Sequence, residues 1–103
     1  MQEIARIQKM EQALDDVSSA QKALAQALEN FSATQCQLSE LSDYYGSKDY
    51  FHDLELDEQG QLPATLKRGV LSEDAVYDLI TSIKEMALEM QKVAEFSLNH
   101  IKP

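Results

Sequence analysis

The sequence predicts an all-α fold: an antiparallel hairpin of two long helices with short helices between them, three-helix-bundle-like. Three observations predict it. The 103 residues include only three glycines and two prolines. Ala, Leu, Glu and Gln, all good helix formers, are abundant. Two long stretches without a helix breaker space their apolar residues at the helical period. A chain of this length makes one domain, expected over 1–103, and can bury a core without metals or disulfides.

The first helix is expected over residues 2–43, which hold neither Gly nor Pro. Met10, Val17, Leu24, Phe31, Leu38 and Tyr45 form a row seven residues apart, and Ile7, Leu14, Gln21, Leu28 and Gln35 form a second. Ala13, Ala20, Ala27 and Thr34 lie along its edge. This a/d pattern with a small flank suits a helix that packs on more than one neighbour. Gln21 and Gln35 stand where a seam prefers Leu or Ile. They sit at the seam edge, or they fix register as a buried Asn can. Ser18-Ser19, two weak helix formers, mark a place for a kink.

The middle is read as two short helices. Gly46 can close the first helix in a left-handed conformation, and Ser47 can cap a new one over 48–58 that stops near Gly60. Tyr50, Phe51 and Leu54 share a face and are expected to close over the core. Pro63 suits a first helical turn, Lys67 and Arg68 suit a last one, and Gly69 suits the position beyond it. Residues 63–68 therefore read as a miniature helix. Ser72 is expected to cap the last helix, over 73–100, with Glu73 and Asp74 in its first turn and Leu71 and Val76 stapled across the cap. The broad apolar face of Val76, Leu79, Ile80, Ile83, Met86, Met90 and Val93 suggests several neighbours. At 1.5 Å per residue the first helix, about 63 Å, outruns the last, about 45 Å. A homodimer that builds a four-helix core would cover the overhang.

Charge excludes some functions. Eighteen acidic against nine basic side chains give a formal −9. Seven carboxylates against Lys48 give −6 over residues 40–58 alone. Nucleic acid and anionic membrane would repel such a chain. Cys36 is the single cysteine, so no internal disulfide forms, and a free thiol suits a reducing compartment. MQEIARIQKMEQ offers no apolar run of signal-peptide length, and no stretch nears the roughly 18 apolar residues of a membrane span. The expected location is the cytoplasm.

Catalytic patterns fail on inspection. Setting Gly60 at the invariant glycine of an EF-hand loop puts Glu55, Asp57 and Gln59 at ligand positions, but Leu66 falls where a bidentate Glu is needed. Asp49 and His52 have the spacing of half a di-iron motif, with no Glu-x-x-His elsewhere to complete it. Cys36 has no His nearby in sequence, and the glycines are too dispersed for a phosphate loop. Nothing calls for a metal or other cofactor. Tyr44, Tyr45 and Tyr77, with Lys67 and Arg68, form the candidate partner surface, because tyrosines with one wet end are common at interfaces.

Leu41-Ser42-Asp43-Tyr44-Tyr45-Gly46-Ser47, Leu62-Pro63, Leu66-Lys67-Arg68-Gly69-Val70-Leu71-Ser72-Glu73-Asp74 and Val76-Tyr77-Asp78-Leu79 together resemble a small bacterial family of unknown function. The resemblance spans nearly the whole chain. It implies a helical fold and a bacterial cytoplasmic origin, and it lends no catalytic residue.

The function expected is a non-enzymatic protein–protein interaction module, homodimeric and able to dock another protein. An acidic inhibitor or antitoxin-like protein that blocks a basic partner is one alternative. A metal-dependent enzyme using His52 and nearby carboxylates is another. A secreted helical-hairpin effector also fits the length, but the Trp-x-Gly turn of that class is absent.

Overall fold

A computed structural model describes residues 1–102, and every regular element among them is helical. Helix α1 spans Gln2–Ser32, α2 Gln35–Tyr44, α3 Lys48–Glu58 and α4 Ala75–His100, with a 3₁₀ turn at Gly69–Leu71 before α4. The chain divides into two units, Met1–Leu38 and Ser39–Pro103.

In the first unit, α1 is continuous for 31 residues, about 46 Å. It passes through Ser18-Ser19 unbroken, because serine is a weak helix former but offers no steric obstacle. The single helix expected over 2–43 is instead two helices, and the break falls at Ala33-Thr34. Thr34 causes it. Its backbone N–H (3.0 Å) and its hydroxyl (2.7 Å) both donate to the Phe31 carbonyl. That oxygen is three residues back, so the turn tightens where an α-helix would reach four back. On the polar face, Gln12 donates to Asp16 and Gln26 to Asn30 one turn on. No residue of α1 is buried. Ile7, Leu14 and Val17 of its seam are 57%, 62% and 67% exposed.

The second unit turns tightly between α2 and α3. Gly46 takes φ 81°, a conformation open to glycine at no steric cost. Ser47 then caps α3, its hydroxyl accepting the Tyr50 N–H at 3.1 Å, as expected from the sequence. At the other end Gly60 takes φ 70°, donating to the Asp57 carbonyl while Gln61 donates to that of Leu56. This pair of bonds is a Schellman closure, and it satisfies carbonyls that α3 would otherwise leave open.

Residues 63–68 are not a helix. Pro63 starts one turn, closed by the Leu66 N–H on the Pro63 carbonyl at 3.0 Å, and the chain then runs irregularly to Arg68. Six residues form too few hydrogen bonds to offset helix nucleation. Gly69 consequently stands inside the 3₁₀ turn, without a positive φ, and not beyond a helix end. Lys67 and Arg68 occupy no last turn, so helix-dipole attraction does not explain them. The Ser72 hydroxyl accepts the Ala75 N–H at 3.2 Å, but α4 begins at Ala75, two residues later than its expected start, with Asp74 and not Ser72 at its N-cap. Glu73 and Asp74 therefore precede its first turn and do not lie within it.

Tyr50, Leu71 and Val76 are the buried side chains among the described residues. The 3₁₀ turn packs on both α3 and α4 and so delivers Leu71 between them. Leu71 and Val76, expected as a staple, are both buried. Leu54 joins Tyr50 partly buried, but Phe51 is 60% exposed and does not close over the core. Along α4, Ile80, Ile83 and Met90 are half-buried, while Leu79, Met86, Val93 and Phe96 are exposed. Among the described residues no helix is long and apolar enough to cross a membrane.

Candidate functional site

The second unit builds a polar constellation around α3. Tyr50, Asp53 and Asp57 recur at three- and four-residue spacing and so share one stripe of that helix. Each carboxylate on the stripe has a partner from elsewhere in the unit. The Tyr44 hydroxyl, on α2, donates to Asp53 Oδ2 at 2.6 Å. The Arg68 guanidinium donates through Nη1 to Asp57 Oδ1 at 2.6 Å. The Gly46 corner sets the first contact by folding α2 back towards α3, and the Pro63 turn sets the second by returning residue 68 to the end of α3.

Burial and the Asp53 carboxylate together push the Tyr44 phenol from its ordinary 10.0 up to about 12. Burial disfavours phenolate, and a neighbouring carboxylate both accepts the phenolic proton and repels the anion. Tyr44 is therefore held protonated at neutral pH as a hydrogen-bond donor to Asp53. Tyr44 and Tyr45 also meet Tyr50 edge-on, with ring centroids 5.6 and 5.4 Å apart. Phe51 meets it from the outside at 5.3 Å.

Beside these groups lies a cavity of about 270 Å³ lined by Tyr44, Asp53, Leu62, Leu66, Lys67, Arg68, Val70 and Leu71. Three residues of the candidate surface, Tyr44, Lys67 and Arg68, thus line one depression. Tyr45 belongs to the adjoining aromatic cluster, and Tyr77 is 60% exposed at the start of α4, outside the cavity lining. Lys67 is exposed, and among the described residues it has no ion-pair partner. Arg68 is spoken for by Asp57.

Asp53 and Asp57 are the residues that sequence reasoning missed. They read as part of a solvated acidic face, yet both are partly buried. The available signal was their register with Tyr50. Asp49, His52, Glu55 and Glu58 are exposed. Among the described residues no three His, Cys, Asp or Glu side chains converge as a metal site would require. Cys36 is exposed near the start of α2.

No curated protein and no solved structure matches the chain. The chain belongs to the family described as a domain of unknown function (DUF4298), whose model matches residues 7–93.

Proposed function

We propose that the chain works by binding protein and not by catalysis, as a helical module that associates with a second copy of itself. The observation that carries this reading is the seam of α1. Its apolar residues keep a strict heptad spacing over the whole helix, yet none is buried. Apolar stripes of this kind mark interfaces, because covering them removes apolar area from water at roughly 25 cal/mol per Å². On this reading the second copy covers the seam of α1 and completes a four-helix core. The depression beside Tyr44, with Lys67 at its rim, the neighbouring Tyr45 and the exposed Tyr77 then remain available to a further partner.

Sedimentation equilibrium over a hundredfold concentration range tests the reading. A dimer is expected for the natural chain, and Leu14→Glu with Leu24→Glu is expected to abolish it. A strict monomer at the highest concentration would refute it. The exposed carboxylates Asp49, Glu55 and Glu58 support a second reading, capture of a basic protein. That capture would weaken steeply with added salt, whereas apolar self-association would not.

A further inference from the structure

We infer that α1 pairs with α1 of the second copy in an antiparallel sense, about an axis level with Ser19. The inference rests on the self-association just proposed and specifies its register. With Ile7, Leu14, Gln21 and Leu28 as one row and Met10, Val17, Leu24 and Phe31 as the other, antiparallel packing sets one row against the partner's other row. Pairing positions whose numbers sum to 38 fills every layer within α1. Ile7 then meets the partner's Phe31, Met10 the partner's Leu28, and Leu14 the partner's Leu24. Gln21 meets the partner's Val17, the smallest apolar residue of the seam. The two copies of Gln21 lie about 6 Å apart along the axis, one within amide reach of the other.

Three further features favour this arrangement. The flank of Ala13, Ala20 and Ala27 meets itself, Ala20 beside the partner's Ala20 and Ala13 beside the partner's Ala27, so the backbones can approach closely. Charge is also better distributed. Residues 2–16 hold Glu3, Glu11, Asp15 and Asp16 against Arg6 and Lys9, a net −2, while residues 17–32 hold Glu29 against Lys22, a net zero. Antiparallel pairing sets −2 against zero and brings Lys22 level with the partner's Asp15. Parallel pairing sets −2 on −2 and stacks Gln21 on its copy, with only an Arg6 contact to the partner's Glu11 in return. Area completes the case. The large apolar side chains of α1 from Ile4 to Leu28 are 44–67% exposed. Covering them removes roughly 600 Å² per helix, about 1,200 Å² per pair, the lower bound for a specific interface.

Single-cysteine cross-linking of the full chain on a Cys36→Ser background tests the register, with oxidised glutathione as oxidant and sedimentation of every variant in parallel. Ala20→Cys is expected to yield a disulfide-linked dimer. Ala13→Cys and Ala27→Cys are expected to link when mixed and not when alone. Leu28→Cys is expected not to link, since its two copies lie about 27 Å apart along the axis. A dimer in which Leu28→Cys links and Ala20→Cys does not would overturn the register while leaving the module reading intact. A dimer in which no α1 variant links would show that α1 is not the interface, and would also overturn it. A monomer throughout would remove both the register and the reading beneath it.

Discussion

Replacing Tyr50 gives the sharpest test of what holds the second unit together. The ring is 6% exposed and is one of three buried side chains among the described residues. Truncating a buried aromatic to alanine costs about 3–5 kcal/mol, through lost transfer energy and the cavity left behind. Edge-on pairs add about 0.5–1.5 kcal/mol each beyond area. Of the three pairs at Tyr50, that with Phe51 is discounted because Phe51 is mostly in water. Tyr44 and Tyr45 remain, a combined contribution of about 1–3 kcal/mol.

The expected order follows. Tyr50→Phe keeps the ring and every pair, and costs less than about 1 kcal/mol. Tyr50→Leu keeps most apolar burial and loses the pairs, at about 1–3 kcal/mol. Tyr50→Ala loses both, at about 3–5 kcal/mol, which is a large part of the total stability of so small a unit. Urea unfolding followed by far-UV circular dichroism, with near-UV dichroism reporting the tyrosine cluster, measures the series. If Tyr50→Leu matched the natural chain, the ring geometry would carry no energy. If Tyr50→Phe were as damaging as Tyr50→Ala, the hydroxyl would be the important group and the reasoning would fail.

Alkaline titration should isolate Tyr44. Its phenol is raised in the folded state to about 12 from 10.0, so its contribution to stability is fully present below pH 10 and is lost as pH rises towards 12. The absorbance difference between the natural chain and Tyr44→Phe should have its midpoint near 12. Asp53→Asn should lower that midpoint without restoring 10.0, since burial is the larger cause. Gly46→Ala and Gly60→Ala should each destabilise by about 1 kcal/mol, because both positions hold positive φ. Gly69→Ala, with ordinary φ and open space around a new Cβ, should be nearly neutral by thermal melting. Ser72→Ala should cost at most about 1 kcal/mol through the lost hydrogen bond from the Ala75 N–H. Asp57→Asn should cost at most about 1 kcal/mol in the same assay, since the Arg68 pair is about one-third exposed.

Local chemistry was the most legible part of this sequence. The Gly46 corner and the Ser47 cap follow from short-range rules that need only the neighbouring residues. The Thr34 break escaped because it depends on a hydroxyl competing for the Phe31 carbonyl, a choice that periodicity cannot register. The 63–68 segment failed for the opposite reason. Each residue suits a helix position, but propensity is a weak prior, and Arg68 found its electrostatic partner in Asp57. The candidate site was half visible. Tyr44, Lys67 and Arg68 were singled out, but the carboxylates that hold two of them lie on the buried stripe of α3. Reading that stripe required knowing that Tyr50 faces inward.

The thin core and the exposed seam are two sides of one physical question. A chain of about 100 residues loses of order 100–200 kcal/mol of conformational entropy on folding and must offset it by burial. Among the described residues three side chains are buried, while the row of α1 and much of α4 keep their apolar surface in water. Neither helix gains enough from propensity alone, since isolated helices draw most of their stability from packing an amphipathic face. On the proposed reading, association completes this burial, and the surface that completes it is the surface through which the module acts. On this argument the stability of α1 should depend on protein concentration, while the Tyr50 cluster, built within the second unit, should not. Hydrogen exchange at two concentrations separates them. Protection of α1 amides that stayed constant would break the link between association and folding.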